Sequence, residues 1–170
     1  MSQPGILIAG IGNIFLGDDA FGCEVVKELQ QRSWPANVRV EDFGIRGFDL
    51  AYAMLDGYDI TIFVDAIARG ESPGTMYTIE PDVNDLEALG AGALETHSIK
   101  PLSVLQMVKT MGGSFKKILL VGCEPATFGG EEGQMGLSKE VQSAVPAAAK
   151  LVESLINQQM ELSLKKTASA

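Results

Sequence analysis

The sequence predicts an α/β fold, a three-layer α/β/α sandwich built on a parallel or mostly parallel sheet, and two observations predict it. Short apolar runs alternate with segments whose apolar residues recur at helical spacing. Two of the runs, Ile60 to Val64 and Ile118 to Val121, are apolar almost throughout, as strands buried on both faces are. A chain of 170 residues suits one domain, expected over residues 1–160 with 161–170 as a flexible tail.

In chain order, Ile6 to Ala9 reads as the first strand. A helix follows from about Ala20 to Gln31, with Phe21, Val25, Val26 and Leu29 on one face, stopped by Trp34-Pro35. Val38 to Phe43 alternates like a second strand. The loop Gly44-Ile45-Arg46-Gly47 leads into a short helix, Phe48 to Leu55. Ile60 to Val64 is the third strand and ends at Asp65. Thr75 to Ile79 is reached through a turn-rich loop with no crossover helix. That connection is too short for a parallel neighbour, so the fourth strand is expected to be an antiparallel edge. Asp82 to Leu89 could hold a helical turn or two, and the loop from Gly90 to Ser98 carries His97. Pro101 opens a helix to about Met111, Ile118 to Val121 is the fifth strand, and Ser138 is placed to cap the last helix. Pro146 is expected to kink or split that helix before it ends near Gln159.

Composition narrows the function. A net charge of −9 argues against a nucleic-acid partner and against an anionic membrane surface. No apolar run approaches the ~20 residues of a spanning helix, and Met1 to Pro4 lacks the basic residues of a secretory leader. The two cysteines, Cys23 and Cys123, form no CxxC, so a reducing cytoplasm with both thiols free is expected.

The chain is organised around Gly10 to Gly22, GIGNIFLGDDAFG, where the first strand ends and its helix begins. Ligands bind at the carboxyl ends of the strands in such sheets. Asp18 reads as a helix N-cap, favourable to the helix dipole. That leaves Asp19, which joins Asp65 and His97 as a candidate N/O metal-ligand cluster, suited by ligand type to zinc, nickel or iron.

Three rival chemistries are weaker. A dinucleotide site, with Glu41 or Asp42 on the ribose, would need a third glycine where Phe15 stands, and the two aspartates would face the pyrophosphate. Thr96, Ser98 or Ser103 beside His97 would make a hydrolase, but no GxSxG elbow is present. Cys123 could be a thiol nucleophile at the end of the fifth strand, although a core cysteine is the simpler account.

GIGNIFLGDDAFG resembles the amino-terminal motif of the [NiFe]-hydrogenase maturation endopeptidases. The resemblance continues through DITIFVDAI (Asp59 to Ile67), SPGTMYTI (Ser72 to Ile79), THSIKPLSVL (Thr96 to Leu105), ILLVGCEP (Ile118 to Pro125) and GLS (Gly136 to Ser138). It implies a twisted, mostly parallel five-stranded sheet sandwiched by helices. It also implies an endopeptidase that removes a carboxy-terminal peptide from the nickel-loaded precursor of a hydrogenase large subunit, the nickel arriving with that substrate. Position by position, the family's metal-contacting residues fall on Asp19, Asp65 and His97. Phe43-Gly44-Ile45 stands where many members have Gly-Gly-Thr, which implies a different large subunit as client and a substrate contact for Arg46. The alternative from another class is a nickel-binding assembly chaperone that docks on the large subunit without cutting it.

Overall fold

The computed structural model describes residues 3–84 and 100–169. Five strands, β1 (Ile6–Ile11), β2 (Val38–Gly44), β3 (Ile60–Ala66), β4 (Met76–Ile79) and β5 (Lys117–Cys123), form one sheet in the order β2-β1-β3-β5-β4. The β1–β2, β1–β3 and β3–β5 pairs are parallel, and β4 pairs antiparallel with β5 at one edge, as the short connection required.

Side chains alternate across the sheet and feed two cores. On one face Ile6 and Ile8, with Ile60, Ile62 and Val64, pack under α1 (Phe21–Leu29) and the last helix, Lys139–Ala168. On the other Leu7, Ala9, Ile11 and Phe63 pack under α2 (Gly47–Met54) and α3 (Pro101–Thr110). The last helix is α4, and the three layers are complete. Because β1 lies between β2 and β3, the chain leaves it in opposite directions, and the strand order reverses at the β1/β3 boundary. In open sheets that boundary, at the carboxyl ends of the strands, is where the ligand crevice lies.

Two glycines set how closely α1 approaches that boundary. A Cβ on Gly22 would lie 2.0 Å from the Val64 carbonyl oxygen, and one on Gly10 would lie 2.5 Å from the Gly22 carbonyl oxygen. Glycine costs about 1 kcal/mol against alanine inside a helix. Here it lets the helix backbone rest directly on the strands.

Several boundaries differ from the sequence reading. α1 is shorter than expected, because residues Gly17–Ala20 form a separate 3-10 turn ahead of it, and the indole of Trp34 donates to the Leu29 carbonyl at its end. α4 is neither split nor ended by Pro146. Val141, Ala144, Val145, Ala148, Ala149, Val152 and Ile156 are all buried along it, and burial of one valine or isoleucine contributes about 1.5–3 kcal/mol, against about 3 kcal/mol for an interior proline. The helix also runs on through 161–168, the expected tail, to Ala168. Glu, Leu and Lys there are good helix formers, and Lys165 and Lys166 complement the carboxyl-terminal dipole. Most of the stretch Asp82–Leu89, together with Thr96, His97 and Ser98, lies outside the described residues.

Candidate active site

The 3-10 turn after β1 separates the two adjacent aspartates. Asp18 is fully buried and is not an N-cap, since it sits inside the turn and bonds no backbone of its own helix. Its Oδ2 accepts from the backbone N–H of Ala126 (2.7 Å) and Thr127 (3.2 Å) and from the Ser138 hydroxyl (2.9 Å), while Oδ1 accepts from the Ser138 N–H (2.7 Å). One carboxylate thus ties the turn to the loop after β5 and to the start of α4. Ser138 holds the N-cap position of α4, but its hydroxyl serves Asp18 rather than the helix.

Asp19, 5% exposed, turns the other way. Its Oδ2 accepts from the Asn13 N–H at 2.8 Å. Asp65 stands near the end of β3, one residue beyond Val64, which pairs with Gly10 of β1. The two carboxylates are near enough for the charge of one to act on the other. Desolvation, and then the charge of Asp19, hold the Asp65 carboxyl well above the usual carboxylate range, against a smaller opposing effect of the Ala66 N–H. Two acids placed so that one hinders ionisation of the other are an arrangement suited to a cation or a shared proton. Among the described residues no three His, Cys, Asp or Glu groups are gathered to hold a metal; the third expected ligand, His97, lies outside them.

The loop carrying Gly10 and Gly12 does not cradle phosphate. A Cβ on Gly12 (φ 144°) would lie 1.8 Å from the Asp19 carbonyl oxygen, and the N–H groups of Gly12, Asn13, Gly17 and Asp18 are bonded to Gly44, Asp19, Gln134 and Thr127 within the protein. Asp42, considered for a ribose, turns Oδ1 onto the Gly44 N–H at 2.9 Å, and Glu41 pairs with Arg39. Cys123 is fully buried, and desolvation followed by the charges of Asp18 and Glu124 pushes its thiol up to about 11. It is a protonated core thiol at neutral pH, not a nucleophile. Burial raises the Cys23 thiol too, followed by the neighbouring Asp42, Asp19 and Asp65 carboxylates, and its Sγ lies 3.6 Å from the Gly12 carbonyl oxygen. Arg46, expected to reach a substrate, braces its own loop through the Asp42 carbonyl (2.7 Å) and Asp49 (3.1 Å).

Sequence reasoning missed Glu124. This buried side chain follows β5, and its Oε1 accepts from the N–H of Arg69 (2.8 Å) and Glu71 (3.0 Å) and from the Tyr77 hydroxyl (2.6 Å). The Tyr77 bond, then the backbone donors, hold its pKa below the usual carboxylate range, and desolvation together with Glu124 pushes the Tyr77 hydroxyl up to about 12. Glu124 fixes the loop that leaves β3 just after Asp65. The rule that singled out Asp65, that a charge at the end of a buried strand needs partners, applied equally to it.

Fold and site define an α/β protein that gathers carboxylates, rather than a phosphate cradle, at its switch point. The chain belongs to the hydrogenase maturation protease family: residues 23–155 match the HycI family, described as hydrogenase maturation protease. It is similar to a hydrogenase maturation protease homologue of Methanocaldococcus jannaschii, at 35% identity over 154 residues, 89% of this chain and 96% of that one. It is also 32% identical to the hydrogenase 2 maturation protease of Escherichia coli, over 86% of this chain and 87% of that one. Among solved structures, the hydrogenase maturating endopeptidase HybD from E. coli superposes with a TM-score of 0.77 at 31% identity, over 90% of this chain and 92% of that one. The chain is therefore a peptidase, and its five-stranded sheet is the fold of those proteases.

Proposed function

We propose that this peptidase removes a carboxy-terminal peptide from the nickel-loaded precursor of a [NiFe]-hydrogenase large subunit. The observation that carries the reading is the Asp19–Asp65 pair at the β1/β3 switch point, in a chain of the hydrogenase maturation protease family. Two carboxylates in mutual repulsion form a poor site for anything except a cation or a proton. A divalent ion reverses that repulsion. In this reading nickel is part of the substrate, already seated in the precursor, and Asp19, Asp65 and His97 complete its coordination. Imidazole and carboxylate suit nickel by ligand type.

Held by these residues, the cation would supply Lewis acidity at the scissile peptide, either polarising its carbonyl or furnishing a hydroxide. A carboxylate at this site is also placed to take a proton from the attacking water. Precursor without nickel brings no cation to the acid pair and docks unproductively, so the site inspects its substrate before cutting it. Both cysteines are free, and among the described residues no helix is long and apolar enough to cross a membrane. These features suit the cytoplasmic location that the reading assigns.

The test is incubation of purified protein with precursor prepared with and without nickel. Peptide loss, seen as a mobility shift, is expected only with the loaded form. Equal cutting of both forms removes nickel from the reading, and a stable complex without peptide loss replaces proteolysis with chaperone activity.

A further inference from the structure

We propose that an apolar collar around the acid pair is where the precursor docks, taking an apolar segment of that polypeptide beside the scissile bond. The inference rests on the proposed function and adds the surface by which the substrate is held.

Ile14, Phe15, Ile45, Phe48, Phe128 and Met135 are large apolar side chains between 37% and 69% exposed. They come from the segments that follow β1, β2 and β5, the carboxyl ends that also frame Asp19 and Asp65. Backbone bonds hold these segments together. The Gln134 N–H donates to the Phe15 carbonyl and the Gly17 N–H to the Gln134 carbonyl, both at 2.8 Å, so Phe15 and Met135 flank one short bridge. The Gly12 N–H donates to the Gly44 carbonyl at 3.0 Å, which joins the loop bearing Ile45 to the same rim. Asp18 pins the loop between Thr127 and Ser138 from beneath. The backbone of the collar is pre-organised, so the segments that carry it need little ordering when covered.

Size and charge select the occupant. At about 200 Å² per large side chain, the exposed fractions amount to on the order of 600 Å². This lies at the upper end of the ~300–600 Å² of the largest apolar patch on a typical monomer, a patch that is often functional, and it falls short of the ~800 Å² per partner of a stable assembly. That is the scale of a transient complex, as between an enzyme and a protein substrate. A second copy of the chain would bring a further net charge of −9 and a second acid pair to the same contact. Arg46 in this rim is braced by Asp49 and the Asp42 carbonyl, so it offers an acidic segment less than a free cation would. A segment with apolar side chains on either side of a cation matches both the collar and its centre.

The experiment compares the wild-type protein with the Phe15→Gln/Met135→Gln double variant and with Phe48→Gln. Affinity for nickel-loaded precursor is measured alongside steady-state cleavage, melting temperature and sedimentation. Each variant is expected to weaken binding and raise KM at least tenfold, with kcat within threefold, an unchanged melting temperature and a monomeric wild type. Should the double variant melt low, the single Phe15→Gln variant carries the comparison. Affinity and KM within twofold of wild type overturn the inference, as does a loss confined to kcat. A wild-type dimer that the variants dissociate assigns the collar to a second copy instead. If wild type binds loaded precursor without cutting it, the proposed function fails, while the affinity series still decides the collar.

Discussion

Replacing Asp18 by asparagine keeps the size of the side chain and removes an acceptor from a site that uses both oxygens. Three donors converge on Oδ2 and one on Oδ1, and the residue is fully buried. The amide oxygen is best placed facing the three. Its NH2 then meets the Ser138 N–H, two donors with no acceptor between them. The lost charge-assisted bond is worth about 1.5–3 kcal/mol, and a buried unsatisfied donor costs a further ~1–3 kcal/mol. The remaining bonds weaken as the charge disappears. The variant is expected to lose about 3–5 kcal/mol in urea unfolding, and its melting temperature to fall by roughly 10 °C, at ~2–4 °C per kcal/mol for a chain of this size. Any loss of processing then follows loss of fold and recovers on cooling. Asp19→Asn is the contrast, with a melting temperature near wild type and no processing at any temperature. An Asp18→Asn protein that melts within 2 °C of wild type would refute the anchoring role.

Three further outcomes are expected. Gly22→Ala puts a methyl 2.0 Å from the Val64 carbonyl oxygen, a backbone atom of β3 that cannot step aside; overpacking of this kind costs at least about 1–3 kcal/mol, read as a lower urea midpoint. Glu124 binds its proton less tightly folded than unfolded, so its stabilising contribution is present above the ordinary glutamate value of ~4.3 and lost as pH falls through the lower folded value. Glu124→Gln should therefore flatten the acid limb of stability plotted against pH, and an unchanged limb contradicts that account. His97→Ala and Asp65→Asn should both abolish processing of nickel-loaded precursor, and Asp65→Asn should not lower the melting temperature, because it removes a carboxylate opposed by desolvation and by Asp19. Full processing by either variant would withdraw its assigned role.

Much of the fold is legible because its signals are local. Ile60 to Val64 and Ile118 to Val121 are apolar runs that belong only in the middle of a covered sheet, and β3 and β5 lie there, paired with each other. The turn-rich loop before Met76 permits only an antiparallel return, and β4 makes one. Local signals fail where long-range contacts decide. Proline propensity argued for a break at Pro146, and the buried side chains on both sides of it outweigh that preference. Asp18 carries every sequence mark of a cap, yet its partners lie 108 to 120 positions away, where no spacing rule reaches. Glu124 is hidden for the same reason, with donors 47 to 55 positions back along the chain. Asp19 and Asp65 could be considered together from the sequence because open α/β sheets place ligand groups at the carboxyl ends of their strands, and the charge of Asp19 does act on Asp65.

The two aspartates also explain why the acidic doublet sits in a 3-10 turn rather than in the first turn of α1. Successive side chains on a 3-10 helix diverge by about 120°, so neighbours in sequence address different surroundings. Asp18 faces the loop after β5 and is saturated by four donors; Asp19 turns the other way, and its Oδ2 accepts from the Asn13 N–H. The first fixes the backbone that aims the second. A carboxylate disfavoured by its neighbour and by desolvation keeps its position only if the chain beneath it cannot relax, and the Asp18 anchor together with the Gly12–Asp19 backbone contact supplies that rigidity. The same anchor holds the loop bearing Phe128 and Met135, so the acid pair and the apolar rim share one foundation. Loosening Asp18 should therefore weaken precursor binding and chemistry together, whereas changes at Asp19 or Phe15 should separate them.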